Sequence, residues 1–143
     1  ELAKYDTIIY GGGLYAGGVN GIKLLPQNRQ LISNKHIILF TCGIADPADT
    51  ENSLQIRKSL AKTLPAEMME KLHIFHFRGA IDYAKLGLVH RAMMAMLRKM
   101  LLKKDENTLR EEDKQLLQSY GGRTDFTDPA SIKPLVAFVR TLA

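Results

Sequence analysis

Residues 11–18, Gly11-Gly12-Gly13-Leu14-Tyr15-Ala16-Gly17-Gly18, are five glycines among eight positions. Glycine lacks a Cβ, so such a stretch admits positive φ and lets a flat or anionic ligand approach the backbone closely. It follows Thr7-Ile8-Ile9-Tyr10, a β-branched and aromatic run that favours a buried strand. Open α/β sheets bind their ligands at the carboxyl ends of parallel strands. Two later runs end in the same manner. His36 to Cys42 closes on Gly43-Ile44-Ala45, and Leu72 to Arg78 closes on Gly79-Ala80.

Several chemistries can be weighed on these residues. Gly11-x-Gly13-x-x-Ala16 formally fits the glycine fingerprint of dinucleotide binding. That fingerprint needs an acidic residue about 20 positions further on to hold the ribose hydroxyls. No Asp or Glu occurs from Thr7 to Ala45, which argues against it. A P-loop is excluded, since the chain has no Gly-Lys-Ser/Thr. The plainer alternative is a loop that needs positive φ and holds no ligand. Tyr15 is placed either to stack on a ring or to pack at a surface. Cys42 has neither a second cysteine nor an adjacent basic residue to support a reactive thiol, and reads as a small buried strand residue. His36, His73, His76 and His90 show no metal-ligand spacing with Cys or carboxylates. His36 and His73 read as strand-edge residues, while His76 lies near a strand end. No side chain stands out as an acid or base, so no catalytic residue is assigned.

The elements that must position these residues follow from the rest of the chain. At 143 residues, 45% hydrophobic and 24% charged, it fits one α/β domain spanning 1–143 with a real core. No apolar run approaches the 18 residues of a membrane span. A lone cysteine excludes an internal disulfide and suits a reducing compartment. The net charge of +5 favours an acidic partner: a phosphate cofactor, a membrane surface or nucleic acid. The basic residues lack interleaved aromatics, which weighs against nucleic acid.

Three strands are expected at 6–10, 36–42 and 72–78, parallel and adjacent in that order, because helical segments of crossover length separate them. The first crossover reads as a helix from Gly18 to Leu25, interrupted at Pro26. The second reads as a helix capped by Asp46, with Pro47 at its first position, running to Thr63. Residues 84–120 form a helical, insertion-like stretch. In its first part, Ala84 to Lys104, Leu86, Val89, Met93, Met96, Leu97 and Met100 share one stripe about 100° wide. Core packing is the default for that stripe, with a membrane surface or a greasy substrate as alternatives. Thr108 has capping-box spacing for a further helix ended by Gly121-Gly122. Asp128-Pro129 opens the last helix, Ala130 to Leu142.

The pattern Tyr5-Asp6-x-Ile8-Ile9-x-Gly11-Gly12-Gly13-Leu14-Tyr15-Ala16-Gly17 resembles the third strand and following loop of the flavodoxin superfamily. It looks most like the branch of the bacterial flavodoxin-type protoporphyrinogen dehydrogenases. Leu39-Phe40-Thr41-Cys42-Gly43 resembles the fourth strand and its loop. Phe77-Arg78-Gly79-Ala80 with Tyr83 resembles the fifth strand end. The resemblance implies a three-layer αβα fold with a parallel sheet, incomplete at its N-terminus. The family's phosphate loop follows its first strand, so a βαβ segment of about 30 or more residues is expected before Glu1.

The resemblance also implies FMN across the strand ends. Gly12, Gly13, Leu14, Tyr15, Ala16 and Gly17 would lie on one side of its ring, and Thr41, Cys42, Gly43, Ile44 and Ala45 on the other. The implied function is a cytoplasmic redox domain, either an electron carrier or a porphyrinogen-oxidising enzyme. Its partner would be a redox protein or a quinone- or porphyrin-type molecule. Contact between a membrane surface and the helix at 84–104 is a further expectation. A flavodoxin-fold interaction module without cofactor is the alternative. A strand edge left unpaired by the absent segment leads us to expect a homo-oligomer.

Overall fold

The structure is a computed structural model describing residues 2–15 and 17–142. It divides into two compact units. The first runs up to Gly79 and resumes at Thr127, and the second is Ala80–Phe126.

In the first unit, β1 (Thr7–Tyr15), β3 (His36–Gly43) and β4 (Leu72–Arg78) form a parallel sheet in the order β1-β3-β4. This is the order expected. β1 differs from expectation at its end. It runs through the glycines to Tyr15, with Gly11, Gly12 and Gly13 in register with Phe40, Thr41 and Cys42. The reason is steric. A Cβ on Gly11 would strike the Phe40 ring, and one on Gly12 would strike the Val19 side chain. These two glycines therefore make room for neighbouring side chains inside the sheet. The turn comes later, at Gly17, whose φ of +78° only glycine adopts readily. It leads into β2 (Gly18–Val19), which pairs antiparallel with Leu14 and Tyr15. Tyr10 Oη donates to the Asn20 carbonyl at 2.7 Å, and Asn20 N–H donates to the Gly13 carbonyl at 2.9 Å. Both bonds fasten the hairpin down. Among the described residues, no strand covers the far edge of β1 from Thr7 to Gly13.

Alternation along the strands separates two faces. On one lie Ile8, Tyr10, Ile37, Leu39, Leu72 and Ile74. The crossovers α1 (Leu24–Gln27), α2 (Arg29–Ile32), α3 (Thr50–Ala61) and α4 (Ala66–Lys71) bury Leu25, Ile32, Leu60, Met68 and Met69 in the same cluster. Full burial of one such side chain contributes about 1.5–3 kcal/mol. On the opposite face, α7 (Lys133–Arg140) sets the Phe138 ring 4.3 Å from His73 and 5.9 Å from Phe75. Helices on both faces of a mostly parallel sheet make the fold the expected αβα arrangement.

Local boundaries moved for identifiable reasons. The first crossover helix is two short pieces that meet at Asn28. α3 starts four residues after Asp46, at Thr50, with Asp49 as its cap, accepting from Glu51 N–H at 2.9 Å. Asp46 instead accepts from Ala48 N–H, shaping the loop before the helix. The final helix begins as a 3-10 turn over Pro129–Ile132, capped by Asp128, and becomes α-helical at Lys133.

The second unit holds β5 (Ala80–Asp82) and β6 (Arg123–Asp125), paired antiparallel, with α5 (Leu88–Leu101) and α6 (Glu111–Ser119) between them. Neither strand was anticipated. α6 is capped at Arg110, whose N–H donates to Asp113, and not at Thr108, whose hydroxyl donates to the Asp105 carbonyl. No helix among the described residues is long and apolar enough to cross a membrane.

The two glycine environments give a paired expectation. Gly11→Val should destabilise the fold by about 1–3 kcal/mol, since the Phe40 ring must move. Gly13→Val, at a position where a Cβ meets nothing within 4 Å, should stay within about 0.5 kcal/mol of the parent. Urea unfolding of both variants checks this, and equal midpoints would remove the steric account of the strand.

Candidate functional site

Adjacent parallel strands bring the two glycine-bearing ends together. Gly13 pairs with Cys42, and Leu14 lies across Gly43, its Cδ1 2.6 Å from where a Cβ would stand. The expected ligand-binding residues then sort into a rim and a floor. Gly13, Tyr15 and Gly17 are exposed, with Tyr15 at 43%; Leu14, Cys42, Gly43, Ile44 and Ala45 are half-buried. Gly12 and Thr41 are sealed in the floor. Val19 covers Gly12, and Thr41 is fully buried. Ala16 lies outside the described residues.

The rim leaves open space for a flat group. At Gly13 and Gly17 an added Cβ would meet no atom within 4 Å, so a planar group can lie against the backbone there. Residues 11–22 and 41–45 carry no charged side chain. Neither stretch therefore supplies a cation for a phosphate.

Sequence reasoning missed the residues that hold the loop between β3 and α3. Arg78 donates from Nε and Nη2 to the Ile44 carbonyl, at 3.1 and 2.9 Å. Its Nη1 stands 3.5 Å from Asp46 Oδ2. Gly79 N–H donates to the Gly43 carbonyl at 2.7 Å, and the buried Asn52 donates its side-chain amide to the Asp46 carbonyl at 2.9 Å. A signal was present: Arg78 is the cation that ends an apolar strand, in register with Gly43.

His76 is in register with Thr41, and its Nδ1 lies 2.7 Å from the Thr41 hydroxyl. Burial lowers the pKa of its imidazole below the usual 6.5. On the other face the Phe40 and Phe77 rings meet at 5.5 Å. The Cys42 thiol packs toward Gly79, where a Cβ would come within 2.9 Å of Sγ. Among the described residues, no three His, Cys, Asp or Glu side chains gather as a metal site would require.

The second unit presents a different surface. The stripe expected to pack inward is split: Leu86, Met93 and Leu97 are half-buried, while Val89, Met96 and Met100 on α5 face outward. Met96 is 61% exposed, and Leu88, which lies outside the expected stripe, is 84% exposed. Met93 and Leu97 of the stripe, joined by the buried Leu101, are spaced four apart and take the inward positions. Lys99 is exposed on α5, Lys85 and Lys103 lie just beyond its two ends, and no acidic residue occurs from Tyr83 to Lys104. Inside the unit, the Tyr83 and Tyr120 rings meet at 4.9 Å with their planes tilted by 57°, and the Arg98 guanidinium lies 5.0 Å from the Tyr120 ring centre. Burial, followed by the neighbouring Tyr120, raises the Tyr83 pKa.

His76 makes stability depend on pH. Its folded pKa lies below its unfolded value, so the unfolded state binds more protons as pH falls through 6.5. The His76 contribution is complete above 6.5 and is lost on acidification toward the lowered folded value. The melting temperature should fall between pH 7 and pH 5, and His76→Gln should reduce the slope. Parallel pH profiles for the two proteins would exclude His76 as the source.

No curated protein and no solved structure shows significant similarity to this chain. The sequence profile of the flavodoxin domain matches residues 1–108, most of the parallel sheet unit and α5 included, and the chain belongs to the flavodoxin domain family.

Proposed function

We propose that this chain contributes the ring-binding face of an FMN-dependent redox protein. One observation carries the reading. In a flavodoxin-family chain, the open rim of Gly13, Leu14, Tyr15 and Gly17 stands beside Gly43, Ile44 and Ala45 at the carboxyl ends of adjacent parallel strands. Bound FMN supplies reversible uptake of electrons. The chain's own residues bind and orient. Backbone amides of the glycine hairpin face the polar edge of the ring, Tyr15 stacks on it, and Leu14 and Ile44 exclude water. The electron partner is a redox protein or a quinone- or porphyrin-type molecule, with porphyrinogen oxidation as the more specific form of the reading. Quenching of FMN fluorescence on titration tests it. Gly13→Val should weaken binding about tenfold while leaving stability unchanged, because a branched side chain occupies the ring's place. If the parent protein quenches no flavin, the family's fold serves here as an interaction module without cofactor.

A second reading concerns α5. We propose that its outward stripe lies on an anionic membrane surface, with the apolar side chains in the headgroup boundary and the exposed Lys85, Lys99 and Lys103 reaching the phosphates. Co-sedimentation with vesicles containing phosphatidylserine should exceed that with neutral vesicles, and should decline with salt. Met96→Glu should lower the bound fraction several-fold. Equal binding to both vesicle types would overturn this reading.

A further inference from the structure

We infer that Arg78 is the positioning residue of the β3–α3 loop, fixing both the shape of that loop and the charge it presents to the ring. This deepens the FMN reading and rests on it. The loop from Ile44 to Asp46, after the last residue of β3, has no regular structure of its own, so its backbone groups need outside partners. β4 provides them. The two Arg78 donors that converge on the Ile44 carbonyl set the direction of one peptide group. The Gly79 amide on the Gly43 carbonyl sets the one before it. The third guanidinium nitrogen reaches Asp46, whose other carboxylate oxygen takes the Ala48 amide at 2.9 Å. One side chain thus spans the stretch from the end of β3 to the entry of α3.

Chemistry explains why this side chain is arginine. Charge-assisted hydrogen bonds are stronger than neutral ones, and a planar fork aims several donors at once. A lysine ammonium is a single point on a flexible stem and cannot hold the Ile44 carbonyl and Asp46 in the same geometry. The Arg78 side chain is only 23% exposed, so its field is screened less than that of a surface cation. Asp46, 53% exposed, offsets part of that charge. Uptake of an electron adds negative charge to a bound ring, and a nearby cation favours that state. Arg78 should therefore raise the ring's midpoint potential, and Asp46 should lower it.

Three variants separate shape from charge. Arg78→Lys keeps the charge and loses the fork. Arg78→Met loses both, and Asp46→Asn keeps an acceptor for Ala48 while unmasking Arg78. In the flavin-free protein, hydrogen exchange at the Ala48 and Gly79 amides should speed up about tenfold in both Arg78 variants and little in Asp46→Asn. FMN should bind about tenfold more weakly to Arg78→Met, equivalent to about 1.4 kcal/mol, and several-fold more weakly to Arg78→Lys. The midpoint potential should move negative in Arg78→Met, stay near the parent in Arg78→Lys, and move positive in Asp46→Asn. Unchanged exchange in both Arg78 variants would overturn the positioning role. Unchanged potentials across the series would overturn the charge role. If the parent protein binds no FMN, the functional reading falls instead, and hydrogen exchange still decides whether Arg78 holds the loop. Should Arg78→Met fail to fold, Arg78→Lys and Asp46→Asn carry both comparisons.

Discussion

The Phe40 ring over Gly11 is the contact on which the carboxyl end of the sheet depends. It requires a residue without a side chain at that point of β1, and it lets β1 continue beside β3 instead of turning away after Tyr10. Continued pairing carries Gly13 to Cys42 and Leu14 across Gly43, which sets the rim. It also delays the turn to Gly17, so β2 folds back onto Leu14 and Tyr15. A conventional strand edge is prone to unwanted pairing. Here the last part of that edge is blunted by the molecule's own hairpin, right at the candidate site.

The fold class was legible because buried parallel strands are written as unbroken apolar runs. Ile37-Ile38-Leu39-Phe40 is such a run, Leu72 to Phe77 is interrupted only by His73 and His76, and the spacing between them suits crossovers. The strand end was not legible. Five glycines in eight residues signal conformational freedom, but the signal is the same whether a glycine serves a turn, as Gly17 does, or makes room for a neighbouring ring, as Gly11 does. The neighbour at issue, Phe40, lies 29 positions along the chain, and local patterns carry no information about it. β5 and β6 were missed for a related reason. At three residues each, they are too short for a period-2 pattern to rise above chance.

The site was partly legible for the same physical reasons. Its location follows from strand ends, which the apolar runs mark. Its orientation does not. Gly12 and Thr41 lie in the same two stretches as Gly13 and Cys42, yet alternation turns them into the core, where Thr41 meets His76. Sequence proximity groups such residues, and the pleat separates them. Arg78 and Asn52 escaped notice because they act on backbone carbonyls, which every sequence has in equal number. A residue that organises a loop through main-chain oxygens leaves no partner motif to find.

Charge shows a similar gap between total and location. A net +5 invites a phosphate, an anionic surface or nucleic acid as partner. The stretch from Tyr83 to Lys104 alone holds Lys85, Arg91, Arg98, Lys99, Lys103 and Lys104 without an acid, so the remainder of the chain is close to balanced. The glycine rim, meanwhile, carries no charge at all. The excess of positive charge is therefore local to that acid-free segment; the second unit as a whole, with nine basic and seven acidic side chains, is only +2. On the proposed reading, recognition of a ring at the strand ends would rest on backbone amides, aromatic stacking and water exclusion. Those forces are short-ranged and reward fixed geometry, and fixed geometry is what the Arg78 fork and the hairpin bonds of Tyr10 and Asn20 provide.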